Sequence, residues 1–180
     1  GKLWEAVEKA QLPKRYQYRR HLRRAESARN AFNTAFAGIL PDLQQKTNEI
    51  LSRLLTSGLA VRLDFPGVGY NPTGRYFTGG QLLLEATLYG ETIPEHQHFL
   101  NEARLSAIGL AIDFASLLVS IPAAVPGAPV YPKLLVLDDV LIGLDMANRL
   151  PVLKLAREVF ADWQILLMTH DRVWFDLIRE

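Results

Sequence analysis

Leu134-Leu135-Val136-Leu137-Asp138-Asp139 and Ile165-Leu166-Leu167-Met168-Thr169-His170-Asp171 are two apolar runs of strand length, each ending in polar residues. The segment between them carries Val152, Leu155, Ala156, Val159 and Phe160 at helical spacing, with Pro151 expected in the first turn, where its missing N–H costs little. Strand, helix and strand in that order pack as two parallel strands joined by a right-handed crossover. That arrangement predicts Asp138, Asp139 and His170 at one carboxyl edge of a sheet, the edge where open α/β sheets bind ligands. Two carboxylates leaving a buried strand are costly unless something uses their charge, and a divalent cation with hard oxygen preferences is the natural partner. One carboxylate can hold magnesium or its water, the other can orient or deprotonate an attacking water, and His170 can meet a phosphate oxygen. The alternative leaves the acidic pair as the start of a loop and His170 as a strand cap.

Upstream, Asn101 is a favoured helix N-cap, and Leu105, Ile108, Ile112, Ala115 and Val119 follow along one face, so a helix is expected from Asn101 to Ser120. Its N-terminus suits an anion, although an ordinary capped core helix explains the same residues. The apolar stretch from Ile108 to Val130 contains Asp113, Pro122, Pro126, Gly127 and Pro129 and reads as a buried helix followed by a loop, not a membrane span. His96-Gln97-His98 sets two histidines at strand spacing, with no third ligand nearby to make a metal site. Trp163 and Trp174 flank the last strand as core residues.

Leu59 to Phe65 alternates and Gly79 to Tyr89 is a second extended candidate. The Pro66 to Gly74 stretch between them is a turn-rich loop, and it lacks the Gly-Lys-Ser/Thr ending of a phosphate-cradling loop, since Arg75-Tyr76 follows Gly74. Nearer the start, helices are expected over 2–12 and 14–39, split at Pro13, and from Asp42 to Leu55, started by Pro41 and ended by Ser57-Gly58.

The chain has 180 residues, 49% hydrophobic and 22% charged, enough for a globular core and far from fibrous or low-complexity classes. The absence of cysteine excludes disulfide scaffolds, thiolate metal sites and cysteine nucleophiles, and with the charged opening GKLWEAVEKA it suggests a cytoplasmic protein without a secretory signal. Net charge is +1, yet residues 1–60 hold eleven Lys or Arg against five Asp or Glu, and residues 61–180 hold nine against fourteen. The densest basic cluster comprises Lys14, Arg15, Arg19, Arg20, Arg23 and Arg24, with Tyr16 and Tyr18 interleaved. On a helix Arg19, Arg20, Arg23 and Arg24 form a ridge able to grip DNA phosphates, or simply a solvated face.

Phe99 to Ser106, Leu134 to Asp139, Gly143-Leu144-Asp145 and Leu167 to Asp171, in that order, resemble the C-terminal half of an ABC-type ATPase head. The nearest likeness is to the SMC-like branch, which includes DNA repair and anti-phage defence ATPases with coiled-coil insertions. The resemblance is tight over residues 98–175 and looser over 60–97. It implies an α/β fold with a helical N-terminal segment, a lobe bearing the signature helix and a parallel strand–helix–strand unit of the P-loop NTPase type. Residues 1–58 would be the returning end of the coil and its junction with the head, and residues 59–180 the head half. The same resemblance assigns Leu100 to Arg104 to the signature motif, with Asn101, Glu102, Ala103 and Arg104 toward nucleotide. Asp138 becomes the Walker B magnesium ligand, Asp139 the catalytic carboxylate, Leu144-Asp145 the D-loop and His170 the switch histidine. ATP and Mg2+ are the implied cofactors. The implied partners are a Walker A half supplied from elsewhere and a second head, with DNA possible and no membrane.

Two departures stand out. Asn101, Glu102 and Ala103 replace the serine and two glycines usual in the signature, and Asp139 replaces the usual glutamate, one methylene longer. They keep open a catalytically silent scaffold that binds nucleic acid or protein. A phosphoacceptor or magnesium-dependent nuclease-like domain explains the acidic pair but neither Asn101 to Arg104 nor His170.

Overall fold

The computed structural model describes residues 15–55, 58–71, 73–74, 76–120, 132–141, 143–144 and 146–179, with side chains from residue 22 onward. The elements run α1 (Arg15–Leu54), β1 (Leu59–Asp64), β2 (Val68–Asn71), β3 (Tyr76–Gly79), β4 (Leu83–Leu88), β5 (Glu91–Ile93), α2 (His96–Phe99), α3 (Glu102–Ser120), β6 (Leu134–Asp138), α4 (Met146–Val159), β7 (Gln164–Met168) and α5 (Arg172–Arg179). Three sheets form among the described residues, ordered β1-β4-β5, β2-β3 and β6-β7. The chain separates into two compact units, one reaching Asp42 and including Arg62–Leu84, the other combining Leu43–Val61 with everything from Glu85.

In the first unit an aromatic cluster gathers around Phe65 beside the buried Leu63. Phe36 lies 4.5 Å from Phe65 between ring centroids, and Phe32 lies 6.0 Å from Phe65 in an edge-on arrangement. The Asn33 side-chain amide completes the packing as an extra strand partner would. Its Nδ2 donates to the Val68 carbonyl at 3.0 Å, while its Oδ1 accepts the Val68 N–H at 2.9 Å. The hairpin of β2 and β3 pairs Val68 with Gly79 and Asn71 with Tyr76.

The second unit repeats the device with Asn48, whose amide accepts the Val61 N–H at 2.8 Å and donates to the Val61 carbonyl at 2.9 Å. Its core is built from Leu51, Ala86, Ala111, Phe114, Phe160 and Trp174, all at 1% exposure or less. Phe114 meets Phe160 edge-on at 5.2 Å between centroids, and Phe160 meets Trp163 at 5.1 Å, so both tryptophans belong to packing. Helix α3 is long and apolar enough to cross a membrane, but Ala107, Ile108, Ala111, Phe114 and Ala115 along it are buried in this core.

Strands β6 and β7 run parallel, with Leu134 opposite Gln164 and Asp138 opposite Met168, joined through α4 as the sequence pattern predicts. Leu135 and Leu137 point into the core, whereas Leu134, Val136, Leu166 and Met168 are 39–50% exposed. Parallel strands in α/β proteins are ordinarily covered on both faces, so this sheet presents an apolar face with no cover among the described residues.

Several expectations are corrected. Pro41 does not start a new helix; it lies inside α1, which runs unbroken from Arg15 to Leu54, because a proline removes one hydrogen bond that a long packed helix can tolerate. Pro151 sits inside α4, which begins at Met146 and not near the proline. The supposed loop at 66–74 contains β2, and the supposed strand from Gly79 to Tyr89 is interrupted by Gly79 and Gly80 at φ 72° and 79°, a left-handed pair that ends β3 before β4 begins. His96 and His98 belong to the helical turn α2, where residues two apart point about 200° away from each other, so they share no face. The helix expected over 2–12, the Ser57 stop and most of the Pro-rich connection lie outside the described residues.

Candidate functional site

The carboxyl ends of β6 and β7 gather the acidic pair and the histidine. Asp138 closes β6, its side chain exposed and, among the described residues, engaged by no hydrogen bond or ion pair. Asp139 continues the ladder by one bond, its N–H donating to the Met168 carbonyl at 3.1 Å, and then turns into the left-handed region at φ 50°. Aspartate tolerates that conformation better than most residues, and such backbone outliers concentrate at functional sites. The turn carries the Asp139 carboxylate to the end of β7. Its Oδ1 accepts the His170 backbone N–H at 3.0 Å, and its Oδ2 meets His170 Nδ1. The His170 backbone N–H, aided by the ring, holds the Asp139 carboxyl below the ordinary carboxylate range, although partial burial pulls the other way. The His170 imidazole itself projects outward, 88% exposed.

Helix α3 opens as its sequence predicts. Asn101 Oδ1 accepts the Arg104 N–H at 3.0 Å, and the Asn101 carbonyl accepts the Leu105 N–H at 3.1 Å, so Asn101 is the cap. This first turn lies against the loop that follows the acidic pair. A Cβ on Gly143 would stand 2.7 Å from Ser106 Oγ and 3.7 Å from Glu102 Oε1, so any larger residue here would displace the Ser106 hydroxyl. Asp145 lies outside the described residues, as do the side chains of Arg19 and Arg20; Arg23 and Arg24 are exposed on α1.

Two residues to which the sequence reading gives no role complete the site. Arg149 of α4 is 9% exposed; its Nε donates to the Leu144 carbonyl at 2.9 Å, and its Nη1 reaches Asp171 Oδ2 at 2.7 Å. Asp171 caps α5, its Oδ1 accepting the Trp174 N–H at 3.1 Å, and that bond first, with Arg149 second, holds the Asp171 carboxyl below the usual range. A signal for Arg149 exists in the sequence. It stands three, four and seven residues before Val152, Leu153 and Ala156, all buried, and so occupies an inner position of the helix.

The residues present suit magnesium held by one carboxylate and completed by water and phosphate oxygens. Among the described residues no group of three or more His, Cys, Asp and Glu converges. Asp138, exposed and unengaged among the described residues, offers a hard oxygen donor.

By sequence, neither a described protein family nor a characterised protein matches the chain. By structure, the fold is α/β, of the ATPase-head type. More narrowly it is the fold of SMC heads. A structure from work on ATP-driven dimerization and DNA-stimulated activation of SMC ATPases aligns at TM-score 0.56 and 22% identity, over 79% of this chain and 76% of that one. The SmcHead bound to the C-winged helix domain of ScpA aligns at 0.57 and 21%, over 98% of this chain and 47% of the other. The Smc head with an extended coiled coil bound to the C-terminal domain of ScpA, from Pyrococcus furiosus, aligns at 0.55 and 20%, over 97% and 42%. The chain thus spans less than half the length of the latter two, and at these identities the likeness is one of fold.

Proposed function

We propose that this chain is the C-terminal portion of an SMC-like ATPase, working by ATP-driven head dimerisation in DNA repair or anti-phage defence. In this reading residues 1–58 are the returning end of a coil and its junction with the head, and 59–180 the head half. The observation that carries it is the parallel β6–α4–β7 unit, which brings Asp138, Asp139 and His170 to one sheet edge with Asp139 and His170 in contact. The apolar face of Leu134, Val136, Leu166 and Met168 supports a missing half, because a covering lobe would remove it from water. A Walker A loop supplied from elsewhere would cradle the β- and γ-phosphates, and the Asn101-capped turn of α3, with Glu102, Ala103 and Arg104, would offer backbone N–H groups to the γ-phosphate held by a second head.

Asp138 is the residue that would hold magnesium, which supplies charge neutralisation between the phosphates. Asp139 would orient the attacking water and accept its proton, its carboxylate kept ionised and in place by His170. His170 Nε2, on the far side of the exposed ring, would meet the γ-phosphate. Asp145 would act in the D-loop across the dimer. DNA would lie along the ridge of Arg19, Arg20, Arg23 and Arg24.

A second reading, a catalytically silent scaffold of the same shape, draws support from Asp139, whose short side chain is already committed to His170. Sedimentation velocity of the head assembled with its Walker A half, bearing Asp139→Asn, separates ATP capture from turnover. ATP and magnesium are expected to drive it to a stable dimer. A species that stays monomeric at saturating ATP overturns the dimerising-head reading.

A further inference from the structure

We propose that Arg149 is a positioning residue that ties the Gly143-Leu144 loop to the His170-Asp171 turn, so that the first turn of α3 and the Asp139–His170 contact are set together. The links are consecutive. Gly143 lies so close to α3 that a Cβ there would stand 2.7 Å from Ser106 Oγ, and the Ser106 hydroxyl would have to move to admit a side chain. The next residue, Leu144, gives its N–H to the Leu141 carbonyl at 3.0 Å and its own carbonyl to Arg149 Nε at 2.9 Å. The other arm of the guanidinium reaches Asp171 at 2.7 Å, and Asp171 in turn gives its N–H to Thr169 Oγ1 at 3.1 Å, bracketing His170.

A cation this buried is costly unless fully engaged. Arg149 is engaged on two sides, and it also lies over the Trp174 ring, 5.9 Å from the centroid. The planar guanidinium presents donors in two fixed directions at once, which the single ammonium of a lysine does not. Its hydrogen-bond partners Leu144 and Asp171 are not residues assigned to phosphate, magnesium or water, and Arg149 acts through them. The consequence for turnover rests on the head reading above, whereas the tie between the two loops does not.

Amide hydrogen exchange of the whole chain, followed by NMR, tests the tie without nucleotide. In Arg149→Met the Leu144 and His170 amides are expected to exchange at least tenfold faster, with the Leu135 and Leu167 amides of the β6–β7 pair unchanged. Arg149→Lys covers the case in which Arg149→Met fails to fold. It keeps a cation beside Asp171 and leaves the Leu144 carbonyl without its donor, so the Leu144 amide is expected to quicken tenfold and His170 to stay near its original rate. Unchanged rates at both amides, or a uniform rise that includes Leu135 and Leu167, overturn the proposal. In the assembled head Arg149→Lys is expected to lower kcat at least tenfold with KM unchanged, and an unchanged kcat overturns the functional half. An unmodified assembled head that hydrolyses no ATP defeats the ATPase reading instead, and the exchange result stands apart from it.

Discussion

Asp139 grips His170 at two points, its Oδ1 taking the backbone N–H at 3.0 Å and its Oδ2 meeting the ring Nδ1. One carboxylate therefore fixes both the position of the residue after β7 and the orientation of its imidazole. The neighbouring Asp138 does neither, and its exposed carboxylate stands ready for another charge.

That division of labour separates two substitutions in the assembled head. Asp139→Asn keeps an acceptor for the His170 N–H but loses the base, so nucleotide binding is expected to survive while turnover falls by about 10²-fold or more. Asp138→Asn is expected to weaken magnesium-dependent nucleotide binding itself. Parallel measurement of nucleotide affinity and single-turnover rate checks both, and unchanged turnover in Asp139→Asn would assign the water to another group.

Gly143→Ala sets a Cβ 2.7 Å from Ser106 Oγ, and overpacking of this kind costs about 1–3 kcal/mol. Ser106→Ala removes that oxygen, so the double variant is expected to recover most of the loss. Urea unfolding of the single and double variants gives the coupling. Simple additivity would mean that the two residues do not meet.

Asp139 and Asp171 both have folded pKa values below the unfolded value of 3.8, so each stabilises the fold above that pH and loses its contribution as the pH falls through the folded value. Thermal midpoints are expected to hold down to about pH 5 and to drop below about pH 4. Asp171→Asn keeps an oxygen for the α5 cap but cannot ionise, so its drop is expected to be shallower. An acid limb as steep as that of the unmodified chain would show that Asp171 contributes nothing to it.

The β6–α4–β7 unit was legible because parallel buried strands read as continuous apolar runs, and Asn101 because caps are local. Pro41 and Pro151 misled because tertiary packing outweighs one lost helical hydrogen bond, a balance no local pattern contains. The break at Gly79-Gly80 was written in the sequence, and the surrounding alternation masked it. At the site, Asp138, Asp139 and His170 were placed by topology alone. Arg149 was not, because its two partners, Leu144 and Asp171, lie on other segments and only the folded chain brings them to it.

If the α1 ridge grips DNA, changing Arg19, Arg20, Arg23 and Arg24 together to Gln is expected to weaken duplex binding by the assembled head. The log–log salt slope is expected to fall by about 0.9 for each phosphate no longer neutralised, with sequence preference unaltered. Fluorescence anisotropy across a salt series reads both quantities. An unchanged slope would leave the ridge as solvated surface.

In the proposed reading the chain supplies the catalytic edge and the signature helix of a head, while its sequence carries no Gly-Lys-Ser/Thr loop to cradle nucleotide phosphates. Calorimetric titration of magnesium and ATP into the chain by itself tests it most directly. The expected result is no binding in the micromolar range, with such binding appearing only once a Walker A half is joined to it and lost again in Asp138→Asn. Micromolar binding by the chain alone would contradict the account.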